Sequence, residues 1–203
     1  MKQAVDYLEK RIKIILSRSK GKPIFVVVAG RSASGKSYLV NRLVLRFKCQ
    51  SIRLRIDDYY MNLPDVTKGF TNGLINWDKP SVIKIDLFNK HIATLATNRP
   101  IKKPIYNMQN SSSINMEAIL PQNLILVDGA HALNSLFKIP SSLKIFVYSE
   151  ENKCLKRRLR RDATERRKGS KREIEEYFYK IATPAFHEYI EPTIKKANVI
   201  VYN

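Results

Sequence analysis

The chain has 203 residues, 44% hydrophobic and 27% charged, which suits one α/β domain with a full core and sets it apart from disordered or fibrous classes. No stretch approaches ~18 consecutive apolar residues, so no membrane span is expected, and two distant cysteines, Cys49 and Cys154, point to a reducing, cytoplasmic compartment without a zinc site. The formal net charge of +19 asks for an anionic ligand or partner.

Taken in chain order, residues 1–22 carry Val5, Leu8, Ile12, Ile15 and Leu16 at helical spacing among charged residues. This predicts an amphipathic helix, not a secretion signal. Gly21-Lys22-Pro23 breaks into the apolar run Ile24–Ala29, a buried strand. Next comes Gly30-Arg31-Ser32-Ala33-Ser34-Gly35-Lys36-Ser37, a G-x-x-x-x-G-K-S loop, and then a helical pattern of Leu39, Val40, Leu43, Val44 and Phe47. Residues 52–56 alternate apolar and basic as a second strand and run into Asp57-Asp58-Tyr59-Tyr60. The polar stretch 61–80 has no period and reads as a long functional loop. Ser81 is placed to cap a helix reaching Thr97. Pro100 to Tyr106 and the polar tract Asn107 to Asn115 are assigned no regular element. Leu124–Val127 is a strand ending at Asp128-Gly129, and residues 143–148 form another. A basic helix follows, then a helix over 171–190 interrupted near Pro184, and a last strand over 198–202. The alternation predicts a mostly parallel sheet covered by helices on both faces, one three-layer domain over 1–203.

Strand, glycine loop and helix start together make a phosphate cradle. Backbone N–H groups of Gly30, Ser32, Ala33, Ser34 and Gly35 would face the phosphates, where the helix dipole also favours negative charge. Lys36 would reach the β- and γ-phosphates, and Ser37 would ligate Mg²⁺. In a doubly wound sheet ligands sit beyond the carboxyl ends of the strands. The carboxylates after the second strand (Asp57, Asp58) and after the 124–127 strand (Asp128) therefore fall beside the loop. One suits Mg²⁺ and another the proton of an attacking hydroxyl, which favours phosphoryl transfer over simple nucleotide binding. Residues 153–172 hold eleven Lys/Arg against Asp162 and Glu165. Phosphate binding by some of these arginines is the preferred reading; nucleic-acid binding and a merely solvated helix face are the alternatives.

These residues resemble the uridine kinase branch of the uridine kinase/phosphoribulokinase family of P-loop kinases, over residues 24–203. The family's G-x-S-x-S-G-K-[ST] loop is matched at 30–37 and its D-x-[FY]-[FY] tetrad at Asp57–Tyr60. Its N-[FW]-D-x-P segment is matched at Asn76–Pro80, its P-x-Y at Pro104–Tyr106 and its acidic-Gly-x-His at Asp128–His131. Arg157–Asp162 with Glu165-Arg166 is similar to its lid, and Pro184–Ile200 to its tail. The resemblance implies a P-loop NTPase fold, ATP or GTP as donor with Mg²⁺, and a nucleoside 5′-hydroxyl as acceptor. It implies that Asp57 is the general base, with Asp58 the alternative. Asp78 would hold the ribose diol, unless it caps a turn. Tyr60 and Tyr106 would line the acceptor pocket, unless they are core aromatics. Arg161 and Arg166 would close over the phosphates, and Asp128 would serve Mg²⁺ where the family usually has Glu. His131 is expected to hydrogen-bond within the fold. Family members are often oligomeric, which leaves a homo-oligomer open.

The departures are local. The family's P-x-Y-D-[FY]-x-x-H-[ST]-R reads Pro104-Ile105-Tyr106-Asn107-Met108-Gln109-Asn110-Ser111-Ser112-Ser113. The imidazole that reads the base and its aromatic neighbour are absent. Another sugar-like or pantothenate-like acceptor is accordingly the alternative to uridine or cytidine, and a nucleotide-dependent nucleic-acid-binding protein the alternative to an enzyme.

Overall fold

A computed structural model of the chain describes residues 1–67, 75–162 and 170–203. Helix α1 (Lys2–Arg18) leads to β1 (Ile24–Ala29), the glycine loop, α2 (Lys36–Arg46) and β2 (Ser51–Arg55). A short α3 (Leu63–Thr67) and α4 (Ile85–Ala96) precede the strands β3 (Ile101–Asn107) and β4 (Ser112–Ile119). Then come β5 (Leu124–Asp128), β6 (Ser141–Tyr148), α5 (Glu151–Arg161), α6 (Lys171–Tyr177) and β7 (Val199–Tyr202).

Five strands form one parallel sheet in the order β2-β5-β1-β6-β7. Every residue of β1 is buried, as an apolar run covered on both faces must be. Phe25, Val27 and Ala29 face one core with Phe88, Ile92 and Leu95 of α4 and Phe178 and Phe186 near the C-terminus. Ile24, Val26 and Val28 face the other, with Val5, Leu8 and Ile12 of α1 and Leu39, Val40 and Leu43 of α2. The period-2 side-chain alternation of the strand thus feeds both helical layers. Among the described residues no helix is long and apolar enough to cross a membrane.

Four sequence expectations change: the stretch 61–80, read as one long loop, holds the short helix α3, and its residues 68–74 lie outside the described residues. The helix predicted from Ser81 begins at Ile85, because Pro80–Val82 form a 3₁₀ turn and the next residues pair with the chain after β2. Met61 N donates to Val82 O at 2.8 Å, Lys84 N to Tyr59 O at 2.8 Å, and Tyr60 bridges Ile83. These bonds hold Ser81–Lys84 extended or turned, and the helix starts where they stop. The tract 100–115, assigned no element, contains most of an antiparallel hairpin, β3 against β4, outside the main sheet. Near Pro184 the helix does not break: α6 continues through π turns at Phe178–Ala182 and Phe186–Ile190 on either side of it. Pro184 has no N–H to donate, and widened turns are one way a helix accommodates such a gap.

Candidate active site

The carboxyl ends of β1, β2 and β5 open into one cleft of about 810 Å³. Ser32, Ala33, Gly35, Lys36 and Ser37 line its floor, and Asp57, Asp78 and Asp128 its walls. Tyr60, Tyr106, Met108 and Gln109 also line it. Gly30 and Ser34 shape the loop without lining the cleft. Gly30 sits at φ 143°, and a Cβ there would run into the carbonyl oxygen of Val147 on β6. Ser34 is fully buried, and its carbonyl accepts from Asn203 Nδ2 at 2.7 Å. The loop therefore lies close against β6 and is bonded to the residue that follows β7.

Lys36 folds over its own loop, with Nζ donating to Gly30 O at 2.8 Å and Arg31 O at 2.9 Å. Burial lowers its pKa to about 8, against the partial opposition of Asp57 and Asp128. Arg31 points away from the cleft. Its guanidinium pairs with Glu151 and lies over the rings of Phe186 (4.1 Å) and Phe178 (5.5 Å), fastening the loop to α5 and the C-terminal helix.

The tetrad after β2 divides its two carboxylates. Asp57 lines the cleft, whereas Asp58 is buried and bonded to Lys103 Nζ of β3 at 2.8 Å. Asp58 therefore anchors the hairpin to the sheet. At the end of β5, Gly129 lets the turn after β2 come close: a Cβ there would lie 2.6 Å from Ile56 Cβ. That approach sets Asp57 and Asp128 in the same cleft.

Asp78 is not a turn cap. Its Oδ2 accepts from Tyr177 OH at 3.1 Å, and Arg158 Nη2 stands 4.0 Å away. Tyr177 OH in turn accepts from Trp77 N at 3.0 Å and its ring carries Arg158 at 5.0 Å. Tyr60 packs on Trp77 (5.9 Å) and Tyr106 (5.6 Å), so both tyrosines are core and cleft at once. Tyr106 OH donates to Met61 O at 3.1 Å.

Asp128, expected to serve Mg²⁺, is held by Arg53 of β2, whose Nε and Nη2 meet its two oxygens at 2.8 and 2.6 Å. Ser37 lines the same cleft. Among the described residues no group of three or more His, Cys, Asp or Glu forms a metal cage. Two hard oxygen donors facing a phosphate loop nevertheless fit Mg²⁺, which takes one or two protein ligands and completes its shell with phosphates and water.

From α5, Arg161 donates to Ser32 Oγ at 3.4 Å and to Asp162 at 2.7 Å, while Arg157 reaches the carbonyls of Ala33 (3.4 Å) and Ser34 (3.3 Å). Arg166 lies outside the described residues. His131 is buried against the backbone of Asp78, and burial lowers its pKa against the opposing pull of Asp78 and Asp57. Sequence reasoning did not single out Arg53, Arg157, Arg158, Tyr177 or Asn203 individually. The arginines belonged to a visible basic strand and helix, but Tyr177 and Asn203 carried no signal.

The Phosphoribulokinase / Uridine kinase family profile matches residues 25–203. A uridine kinase of Leuconostoc citreum is 32% identical, with the alignment covering 89% of this chain and 87% of the relative. One of Bacillus pumilus is 31% identical over 90% and 87%. Among solved structures, a possible uridine kinase from Bacillus stearothermophilus superposes with a TM-score of 0.71 at 14% identity, covering 98% of both chains. That likeness shows the fold. With the loop, the strand-end carboxylates and the profile in agreement, the chain belongs to the phosphoribulokinase/uridine kinase family, a family of P-loop kinases that transfer phosphoryl groups to hydroxyls.

Proposed function

We propose that this protein transfers the γ-phosphoryl group of ATP or GTP to the 5′-hydroxyl of a pyrimidine nucleoside, uridine or cytidine. One observation carries the reading: the phosphate loop and Asp57, Asp78 and Asp128 open into the same cleft. In this reading the loop amides and Lys36 hold the β- and γ-phosphates. Asp57 accepts the hydroxyl proton as the acceptor oxygen attacks phosphorus, and the bond to the β-phosphate oxygen breaks to release the diphosphate. Lys36 and Arg161 stabilise charge on the transferring group. Asp78, its second oxygen oriented by Tyr177, receives the ribose hydroxyls. Mg²⁺, when bound, neutralises the phosphate oxygens, and Ser37 and Asp128 are the residues that would hold it. Tyr60 and Tyr106 offer ring surface to the base, and Met108 and Gln109 stand nearby. Free thiols at Cys49 and Cys154 agree with a cytoplasmic enzyme.

The test is turnover of nucleoside triphosphate against uridine, cytidine, ribulose 5-phosphate and pantothenate, with Lys36→Ala as control. Uridine or cytidine should raise turnover far above the uncoupled rate, and Lys36→Ala should remove the increase. A response to ribulose 5-phosphate or pantothenate alone would overturn the acceptor and keep the kinase. No response to any acceptor would overturn the reading.

A further inference from the structure

Arg53 is a cleft residue that the proposed chemistry leaves without a task. It stands on β2, and its fork meets both oxygens of Asp128, a side chain only 6% exposed. Its remaining terminal nitrogen, Nη1, donates to Asn41 Oδ1 on α2 at 2.7 Å. Planar, permanently charged and held at three points, this guanidinium is fixed in place. It sets a full positive charge within hydrogen-bond distance of the carboxylate that would receive a divalent cation. A dication approaching Asp128 alone meets a carboxylate already neutralised and a neighbouring charge of its own sign. A dication arriving with a triphosphate brings its own anionic ligands and meets far less repulsion.

We propose that Arg53 is an internal counter-ion of Asp128 that competes with the divalent cation, so that metal enters this site with the nucleotide and not ahead of it. Arg53 is then a positioning residue, acting on the reaction only through Asp128. The proposal rests on the reading of Asp128 as the metal residue, and its test does not depend on the acceptor.

The experiment is Mn²⁺ binding to the nucleotide-free protein, followed by the free-ion paramagnetic resonance signal. Arg53→Met keeps the aliphatic stem and removes the charge; it should bind Mn²⁺ at least tenfold more tightly than the unaltered protein. Arg53→Lys, a cation without the fork, should fall between them. The double variant Arg53→Met/Asp128→Asn should lose the gain. A purely structural clip predicts the opposite: with Asp128 released, metal binding stays within twofold or weakens, and either result overturns the proposal. If Arg53→Met does not fold, Arg53→Lys decides, a threefold tightening supporting the proposal and no change overturning it. Failure to bind Mn²⁺ in all proteins even with a saturating non-hydrolysable ATP analogue would overturn the metal's placement at Asp128, and this proposal with it. Turnover in the acceptor screen would report separately on the proposed function.

Discussion

At the scale of single residues, two side chains in the cleft make separable predictions. Burial holds Lys36 at a pKa of about 8, below its ordinary 10.5. Below pH 8 the amine is protonated in both folded and unfolded chains. Between about 8 and 10.5 the folded protein binds fewer protons than the unfolded chain, so this group's contribution to stability rises with pH across that window. Phosphate in the loop restores the charge. Nucleotide binding near pH 9 should therefore take up close to one proton, and near pH 6.5 almost none, read by calorimetry in buffers of different ionisation enthalpy. Asp57 and Asp58 are neighbours with opposite fates. Asp57→Asn should lower kcat by about 10²–10⁴-fold while leaving the thermal midpoint near its original value. Asp58→Asn removes one of the two carboxylates that hold the buried Lys103, Glu117 at 2.9 Å being the other, and should cost about 1–3 kcal/mol in denaturant unfolding, with kcat less affected. A reversal of that pattern would exchange their roles. The sequence left the pair open because both follow the same strand. Only Lys103, arriving from β3, separates them.

Among elements, the glycine loop was legible because its motif is contiguous and strand and helix adjoin it. What fastens the loop was not, because it comes from distant chain. Arg31 reaches Glu151 of α5 and the rings of Phe178 and Phe186, and nothing local marks an arginine for a half-aromatic socket. Arg31→Met should cost about 1–2 kcal/mol, lowering the thermal midpoint by roughly 2–8 °C, and should raise the KM for nucleotide by loosening the loop. An unchanged midpoint would show the socket to be energetically silent. The hairpin β3–β4 escaped notice for a different reason. Its β4 strand is largely exposed, Ile114 at the cleft and Met116 included, and the register shifts between Ile105 and Tyr106. Hydrophobic alternation signals a strand when one face is buried, and here the signal was diluted by Lys102, Lys103 and the serines. The helix at 85–96 starts three residues later than a Ser81 cap implies, since backbone pairing with Tyr59 and Met61 outranks the capping tendency of Ser81.

Across the whole molecule, the +19 charge has a local expression. Lys36, Arg53, Arg55, Arg157 and Arg161 line the cleft together with Asp57, Asp78 and Asp128, so positive groups outnumber negative ones where a triphosphate would enter. Association of a fluorescent nucleotide, followed by stopped flow, should slow several-fold between ~0.05 and ~0.5 M salt. A rate indifferent to salt would mean that the charge serves solubility and not capture. The fold class was readable from the strand–helix alternation. The strand order was not, since it is set by pairings remote in sequence. Those pairings have a bearing on how the protein is made. Ile24 lies beside Leu124 and Phe25 beside Ser141, so β1 meets both of its neighbours only across loops of roughly a hundred residues. The strand that carries the phosphate loop leaves the ribosome roughly a hundred residues ahead of both its partners, so its place in the sheet waits for chain synthesised later. Until β5 and β6 are made, the most recognisable motif in the sequence has no walls to hold its shape, and a nucleotide cannot assist the early steps of folding.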